Sequence, residues 1–179
     1  MTHSEIQLST GPLESLIQNT EDIQSAYLKV GILGDYAGRT PDENGTERED
    51  SDLTNPQLGF WHEFGIVKTG LPERSFLRMP ILLKLPDALT KMGSAEEWRS
   101  LIIDRGIVEL LDVIGNKCIE IIAWAFHTGG FGTWAKLRPR TIMRKKNSDI
   151  LIESGQMQRS ITYAVVRKSA PTTPIAPVI

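Results

Sequence analysis

A stretch of regularly spaced apolar residues between Glu96 and Phe126 constrains the fold of this chain more than any other feature of the sequence. Apolar side chains recur there at intervals of three or four residues, which is the period of one face of an α-helix. The main row consists of Ile103, Ile107, Leu110, Ile114, Cys118, Ile121 and Ala125. The pattern predicts one long amphipathic helix, in which Gly106 and Gly115 leave room for a bend.

Both ends of this helix carry recognisable signals. Ser94, with Glu97 three residues later, matches the capping box that begins many helices. At the other end, the pair Gly129-Gly130 supplies residues that readily adopt the positive φ of a helix stop.

Two segments rich in apolar and β-branched residues predict strands. AYLKVGIL runs from Ala26 to Leu33, and SITYAVV runs from Ser160 to Val166. We expect these two strands to pair. The predicted fold class is therefore α+β, with a small curved antiparallel or mixed sheet packed against one long amphipathic helix plus short helices, and with extended terminal arms.

Three shorter segments predict the additional helices. Asn55-Pro56 has the pattern of an N-cap followed by a proline at the first helical position, and the helix QLGFWHEF should stop at Gly65. A second segment, ERSFLRMPILLKL, follows Pro72, and RPRTIMRKKNS is a short basic helix candidate.

The length of 179 residues fits a single domain. We expect an N-terminal arm or short helix over residues 1–24, a single α+β domain over 25–168 and a C-terminal arm over 169–179, where prolines recur. Within the domain, residues 35–54 combine acidic residues with turn formers and predict an exposed acidic loop.

The charge balance and the cysteine content exclude several classes of protein. The chain has 20 Lys+Arg against 22 Asp+Glu, so it lacks the basic excess on which nucleic-acid wrapping relies. Its single cysteine, Cys118, cannot form an intrachain disulfide. The first residues, MTHSEIQLST, lack a signal-peptide pattern, and no apolar run approaches the roughly 20 residues of a membrane span. We expect synthesis in the cytoplasm and no membrane partner.

Residues that could support catalysis do not combine into a recognisable site. His62-Glu63 begins like the HExxH motif of zinc proteases, but Ile66 occupies the position of the second histidine. The sequence GGFGTW, from residue 129, lacks the Lys-Ser/Thr end of a phosphate-binding loop, and Cys118 lies in the apolar row like a buried, inert thiol. The basic run at 138–146 favours a solvated face or an acidic protein partner. We expect no catalytic residues, no cofactor and no metal.

Two stretches resemble the signatures of the bacteriophage virion-morphogenesis family, which comprises tail-completion and head–tail joining proteins. They are LGFWHEFG...GLPERSFLR, from Leu58 to Arg78, and GTWAKLRPRTIMRKK...LIESGQMQRSITY, from Gly132 to Tyr163. The family order is an H-E-F-G helix, a P-x-R-x-F-L segment, a long helix, a G-x-W-x-x-L turn, a T-x-x-x-K helix and an L-I-x-[ST]-G strand entry. This chain reproduces that order. It departs at position 75, where a second proline is common and serine stands here, and at position 136, where lysine replaces a proline or small residue.

The resemblance implies a structural virion protein of the phage neck and not an enzyme. Such a head–tail connector or tail-completion (tail terminator-like) subunit is made in the host cytoplasm and forms a ring, a hexamer or dodecamer, around the DNA channel. The implied partners are copies of itself, portal, adaptor or stopper proteins on the head side, and the tail tube or other tail proteins. Genomic DNA would pass through the lumen without specific binding. Two alternatives stay open: a virion-associated or morphogenetic enzyme (a peptidase or hydrolase), and a small nucleic-acid-binding module.

The residues that match the family motifs are the candidate site and interface residues. They are Gly59, Trp61, His62, Glu63, Phe64, Gly65, Pro72, Arg74, Phe76, Leu77, Trp134, Leu137, Lys145 and Gly155. We expect the large apolar members, Trp61 and Phe64 among them, to be mainly core. Arg74 is the better interface candidate, because a guanidinium between apolar segments needs a carboxylate or several carbonyls, and Glu63 is the first candidate for that carboxylate.

Overall fold

The computed structural model describes residues 26–34, 53–145, 148–152 and 154–167. The predicted N-terminal arm, most of the acidic loop and the Pro-rich C-terminal arm lie outside the described residues. The elements in chain order are β1 (Ala26–Ile32), α1 (Asn55–Phe64), a 3-10 turn (Val67–Thr69), α2 (Arg78–Met92), α3 (Ala95–Arg105), α4 (Ile107–Thr128), α5 (Pro139–Lys145), α6 (Gln156–Arg159) and β2 (Ile161–Arg167). This content confirms the predicted α+β class.

The two predicted strands pair with one another in an antiparallel sheet. Val30 lies opposite Tyr163, and Ile32 lies opposite Ile161. Because alternate side chains of a strand point to opposite faces, these four residues share one face of the sheet. Val30, Ile32 and Ile161 belong to the hydrophobic core or pack against it. The first strand ends one residue earlier than predicted, and the second begins and ends one residue later than predicted.

Helix α4 is the central element of the core. It contacts both strands as well as α2 and α3. Its buried residues are Gly115, Cys118, Ile121, Ile122, Ala125 and Phe126, and their spacing places them on one helical face. Phe76, Trp134 and Met157 complete the cluster from the other side. None of the described helices combines the length and the apolar character that crossing a membrane requires.

The predicted long helix is interrupted at Gly106, one of the two glycines at which the sequence leaves room for a bend. Gly106 adopts φ 84° and ψ 168°, and it ends α3 and begins α4. This backbone conformation is open to glycine and strained for other residues, and it cannot continue a helix. Ile103, a member of the predicted apolar row, is 71% exposed as a result. The apolar period therefore describes two helices that do not share one axis.

The helix ends follow the predicted signals. The backbone N–H of Ser94 donates to Glu97 Oε2 at 2.6 Å, and the N–H of Glu97 donates to Ser94 Oγ at 3.3 Å, which confirms the capping box at the start of α3. Gly129 ends α4 with φ 61°, as predicted.

The start of α1 lies one residue earlier than the sequence indicates. Thr54, and not Asn55, is the N-cap, and Gln57 completes a capping box with it. Asn55 is already helical, so the following proline stands at the second helical position, where a missing N–H costs nothing. Gly65 ends the helix, as predicted.

We expect Cys118 to be chemically inert in the folded chain. Its side chain is buried in the core, and burial raises the pKa of its thiol, so the reactive thiolate is scarce. At pH 8, modification by a disulfide reagent should be at least about 100-fold slower in native protein than in guanidinium, since reaction requires opening of α4. Comparable rates in the two states would mean that the α4 core is open.

Candidate functional site

Glu63, near the end of α1, holds a buried carboxylate against the start of α2. The residue is 5% exposed. Its Oε1 accepts hydrogen bonds from Ser75 Oγ at 2.5 Å and from the Arg78 N–H at 3.1 Å. Its Oε2 accepts from the N–H groups of Phe76 at 2.9 Å and Leu77 at 3.0 Å. The first N–H groups of a helix have no partner within it, so a side chain distant in sequence caps α2 and places negative charge at the positive end of the helix dipole.

Ser75 is the second part of this cap. Its hydroxyl donates to Glu63, and its Oγ accepts from the N–H of Met79 at 3.0 Å. The next residue, Pro80, has no N–H and needs no acceptor. The serine at position 75 therefore supplies hydrogen bonds that a proline could not.

Arg74 ties three segments together. Its backbone N–H donates to the carbonyl of His62 in α1 at 2.8 Å. Its Nε donates to the carbonyl of Ala135 at 3.0 Å, and its Nη2 donates to that of Lys136 at 3.4 Å. The residue is 5% exposed, and this burial lowers the pKa of the guanidinium, although an arginine stays charged near neutral pH.

The predicted pair between Arg74 and Glu63 is wrong. The Glu63 oxygens accept from Ser75 and from backbone N–H groups, while the guanidinium binds carbonyls. Both residues are buried within one chain, and the interface role of Arg74 stays a prediction. Its first role is to hold the segment 135–136 against α1.

Trp134 joins the second signature stretch to the same cluster. Its indole Nε1 donates to the carbonyl of Ser75 at 3.2 Å. Its ring meets Phe126 edge-on at a centroid distance of 5.7 Å, and Phe126 in turn contacts Phe76 at 5.5 Å. Gly130 adopts φ 67°, and a Cβ there would lie 2.2 Å from the indole nitrogen. The glycines of GGFGTW therefore end a helix and make room for a tryptophan.

Two signature glycines allow α1 to approach its neighbours. A Cβ on Gly59 would lie 3.1 Å from Ile32 Cδ1, and one on Gly65 would lie 2.7 Å from the backbone nitrogen of Glu73. Gly65 also adopts φ 68°, which favours glycine.

A groove of about 670 Å³ opens beside this cluster. Its walls are α1, residues between 69 and 74, residues 135–138 and residues 154–157, where α6 begins. Both signature stretches therefore contribute to it. Of the predicted site residues, it brings together His62, Pro72, Arg74, Leu137 and Gly155.

The groove is cationic. Arg74, Lys136 and Arg138 line it, and none of its described lining residues is acidic. Arg138 donates through Nη2 to the carbonyl of Gly70 at 3.2 Å, which bridges two walls. Apolar side chains, among them Leu58, supply much of the remaining surface. The arrangement suits an anionic and partly apolar guest.

Other predicted residues lie elsewhere. Phe64 is 53% exposed, so its expected place in the core is wrong. Its ring lies 4.9 Å from that of Phe60, and the Arg78 guanidinium lies 5.7 Å from the Phe64 ring. Trp61 and Leu77 are half-buried, and Leu77 packs on the core. The last residue of α5 is Lys145, whose side chain lies outside the described part of the chain.

The carboxylate of Glu63 is poorly placed to act as a general base. Four donors already occupy its oxygens, and solvent barely reaches it. Across the described residues, no three or more His, Cys, Asp or Glu side chains form a group that could hold a metal ion.

Sequence reasoning missed three residues of this region. Ser75 had a usable signal, because a serine shortly before a helix is a common cap. Arg138 belongs to the basic run for which the sequence favours a solvated face or an acidic protein partner, but its place beside Arg74 had no signal, and Lys136 had none either, since only the folded chain brings them together. No protein-family model, curated protein or solved structure matches this chain.

Proposed function

We propose that this chain is a structural subunit of the bacteriophage neck, a head–tail connector or tail-completion protein of the tail terminator-like kind, which forms a ring around the DNA channel. The observation that carries the proposal is the meeting of the two signature stretches in one cluster. The H-E-F-G helix, the P-x-R-x-F-L segment and the G-x-W-x-x-L turn interlock there through Glu63, Arg74 and Trp134.

These hydrogen bonds between the motifs support the proposal that this chain shares the architecture of the family whose motif order it resembles. Each motif supplies a group that another motif needs: a carboxylate for bare N–H groups, a guanidinium for carbonyls, an indole for a carbonyl. Residues that satisfy one another's hydrogen bonds in a buried site depend on one another strongly. Their joint presence in the family order therefore favours the family's architecture over a coincidence of short motifs.

Exposed aromatic residues support an assembly role. Phe60 and Phe64 are 63% and 53% exposed, and they contact each other on one surface of α1. Aromatic clusters of this kind, next to an arginine such as Arg78, are typical of protein–protein interfaces. The net charge of -2 also suits a channel wall that DNA passes without adhering.

The mass of the purified protein in solution, followed by electron microscopy of virions, tests the proposal. A ring-sized oligomer, or a collar of density between head and tail that fits this fold, is the expected result. A chain that stays monomeric in solution and is absent from the virion contradicts it. A virion-associated enzyme or a nucleic-acid-binding module then becomes the better candidate, and strongly salt-dependent DNA binding distinguishes the second.

Replacing both Phe60 and Phe64 by serine should abolish or weaken assembly while the monomer stays folded. Exposed side chains contribute little to the fold, and the contact of Phe64 with Arg78 is worth only about 0.5–1 kcal/mol. Sedimentation velocity measures assembly, and thermal unfolding monitors the fold. Val67→Ser is the matched control, because Val67 is almost fully exposed just beyond the same helix. If the double variant assembles like the wild type, the surface formed by Phe60 and Phe64 has no role in assembly.

A further inference from the structure

The cationic groove contains a buried charge whose described partners are neutral. Arg74 is 5% exposed, and its side chain donates to two backbone carbonyls. A guanidinium offers five N–H donors, so donor capacity remains. Among the described residues, no carboxylate forms an ion pair with it. A buried cation is costly unless an anion compensates it, and the groove into which Arg74 faces is the open side of that site.

Two further positive charges lie at the rim of the groove. Lys136 and Arg138 are both exposed and line the same groove. A guest that neutralised all three cations would need several carboxylates along an extended backbone. An acidic peptide segment has that chemistry, and its carboxylates can bind a guanidinium with two parallel hydrogen bonds.

We infer that the groove binds the acidic segment 42–52 of a neighbouring copy of this chain. The carboxylates of that segment are Asp42, Glu43, Glu47, Glu49, Asp50 and Asp52, against the single basic residue Arg48. These carboxylates are opposite in charge to Arg74, Lys136 and Arg138, which line the groove. Residues 35–52 have a contour of roughly 60 Å, at about 3.4 Å per residue, so the middle of this segment can lie up to roughly 30 Å from its two ends.

The inference rests on the proposed ring and specifies one of its contacts. The groove and the acidic segment are different surfaces of the same chain. A contact between them is therefore head-to-tail, and a head-to-tail contact closes into a ring when its rotation allows.

Binding of a synthetic peptide tests the contact without requiring a ring. The probe is a fluorescent peptide of residues 41–53, and the receptor is the full chain with the six carboxylates changed to Asn or Gln, which leaves the groove free. We expect saturable binding that falls at least about ten-fold with Lys136→Glu/Arg138→Glu in the receptor, and as much when the peptide acids become amides. The control receptor, Lys91→Glu/Arg99→Glu, carries the same charge change away from the groove. Equal binding to both receptors overturns the inference.

A mixing experiment tests whether the contact joins two copies. The chain without acidic side chains at 42–52 has an intact groove, and the chain with Lys136→Glu/Arg138→Glu has an intact acidic segment. Each alone should fail to form rings, and the mixture should form heterodimers through its one intact contact, as measured by sedimentation. Two monomers after mixing mean that the groove of one copy does not bind the acidic segment of another, which overturns the inference. Helical circular dichroism confirms folding, and Lys136→Glu alone replaces the double variant if the latter unfolds.

The two proposals fail in different ways. Rings that persist in both variants reject the groove contact and leave the neck proposal intact. A wild-type chain that forms no ring in solution or on virions rejects the neck proposal, while peptide binding to the groove is still measured on single chains.

Discussion

Replacing Glu63 by glutamine should destabilise the fold by about 3 kcal/mol or more, although the side chains have nearly the same shape. Each carboxylate oxygen of Glu63 accepts two hydrogen bonds. The amide nitrogen of glutamine is a donor, so it would face at least one backbone N–H at the start of α2 whichever way it turned. A buried N–H without an acceptor destabilises the fold by the full cost of removing that group from water. The substitution also removes the charge that favours the positive end of the helix dipole.

The test compares the stability of Glu63→Gln with that of Glu73→Gln, as measured by thermal and urea unfolding. Glu73 is an exposed glutamate whose carboxylate pairs with Arg78, and surface pairs of this kind contribute less than about 1 kcal/mol. For a chain of this size, the expected loss at Glu63 lowers the melting temperature by roughly 10 °C. If both variants melt together, the carboxylate cap does not stabilise the fold.

Local signals explain why much of the architecture could be predicted from the sequence. The capping box of Ser94 and the stop at Gly129 lie within a few residues of the backbone they control. The pairing of the two strands could be predicted because Ala26 to Leu33 and Ser160 to Val166 are the two segments whose composition predicts strands, and the structure pairs them. Such signals specify where an element begins and ends.

The partners of the site residues could not be predicted in the same way. The sequence predicts that Arg74 needs a carboxylate or several carbonyls, and Glu63 is the first candidate for that carboxylate. In the folded chain Glu63 instead accepts from the N–H groups of residues 76–78, where α2 begins, and Arg74 donates to the carbonyls of 135–136. Backbone groups have no sequence signature, so a partner of this kind becomes visible only in three dimensions.

The spacing of the apolar residues likewise did not show that the chain forms two helices, one on each side of Gly106. The apolar row continues in register through Gly106, yet the φ of 84° at that residue ends one helix and begins another. A spacing of three or four residues cannot distinguish one long helix from two short ones. Because of this ambiguity the apolar row includes Ile103, which is exposed in the structure.

Gly115 shows the opposite case, a helical glycine that serves close packing. A Cβ there would lie 2.3 Å from Cδ2 of Tyr163, so the helix touches the ring directly. The phenol spans the helix groove: its hydroxyl donates to Asp112 Oδ1 at 2.7 Å and accepts from Asn116 Nδ2 at 2.8 Å. The hydrogen bond to Asp112 raises the pKa of Tyr163, so the phenol stays protonated and the contact intact throughout the neutral range. Strand β2 is thereby seated on α4 at Gly115.

Gly115→Ala should therefore destabilise the protein by about 2–3 kcal/mol, although alanine is the better helix former. The added methyl group must displace the Tyr163 ring, which breaks its bonds to Asp112 and Asn116 and lifts β2 from α4. Gly59→Ala is the graded comparison: its nearest contact, at 3.1 Å, is the flexible end of Ile32, and we expect a loss of about 1 kcal/mol.

A double-mutant cycle with Tyr163→Ala decides the cause. Without the ring, the effect of Gly115→Ala on the free energy of unfolding should change sign. The substitution should then stabilise the chain by up to about 1 kcal/mol, since only the difference in helix propensity remains. Tyr163→Phe, which keeps the ring and removes the hydroxyl, should leave the Gly115→Ala penalty almost unchanged. If the penalty persists with Tyr163→Ala, the glycine is required by the backbone of α4 and not by the packing of the sheet. The sign change would establish that contact between the strand and the helix, and not helix propensity, selects glycine at this position.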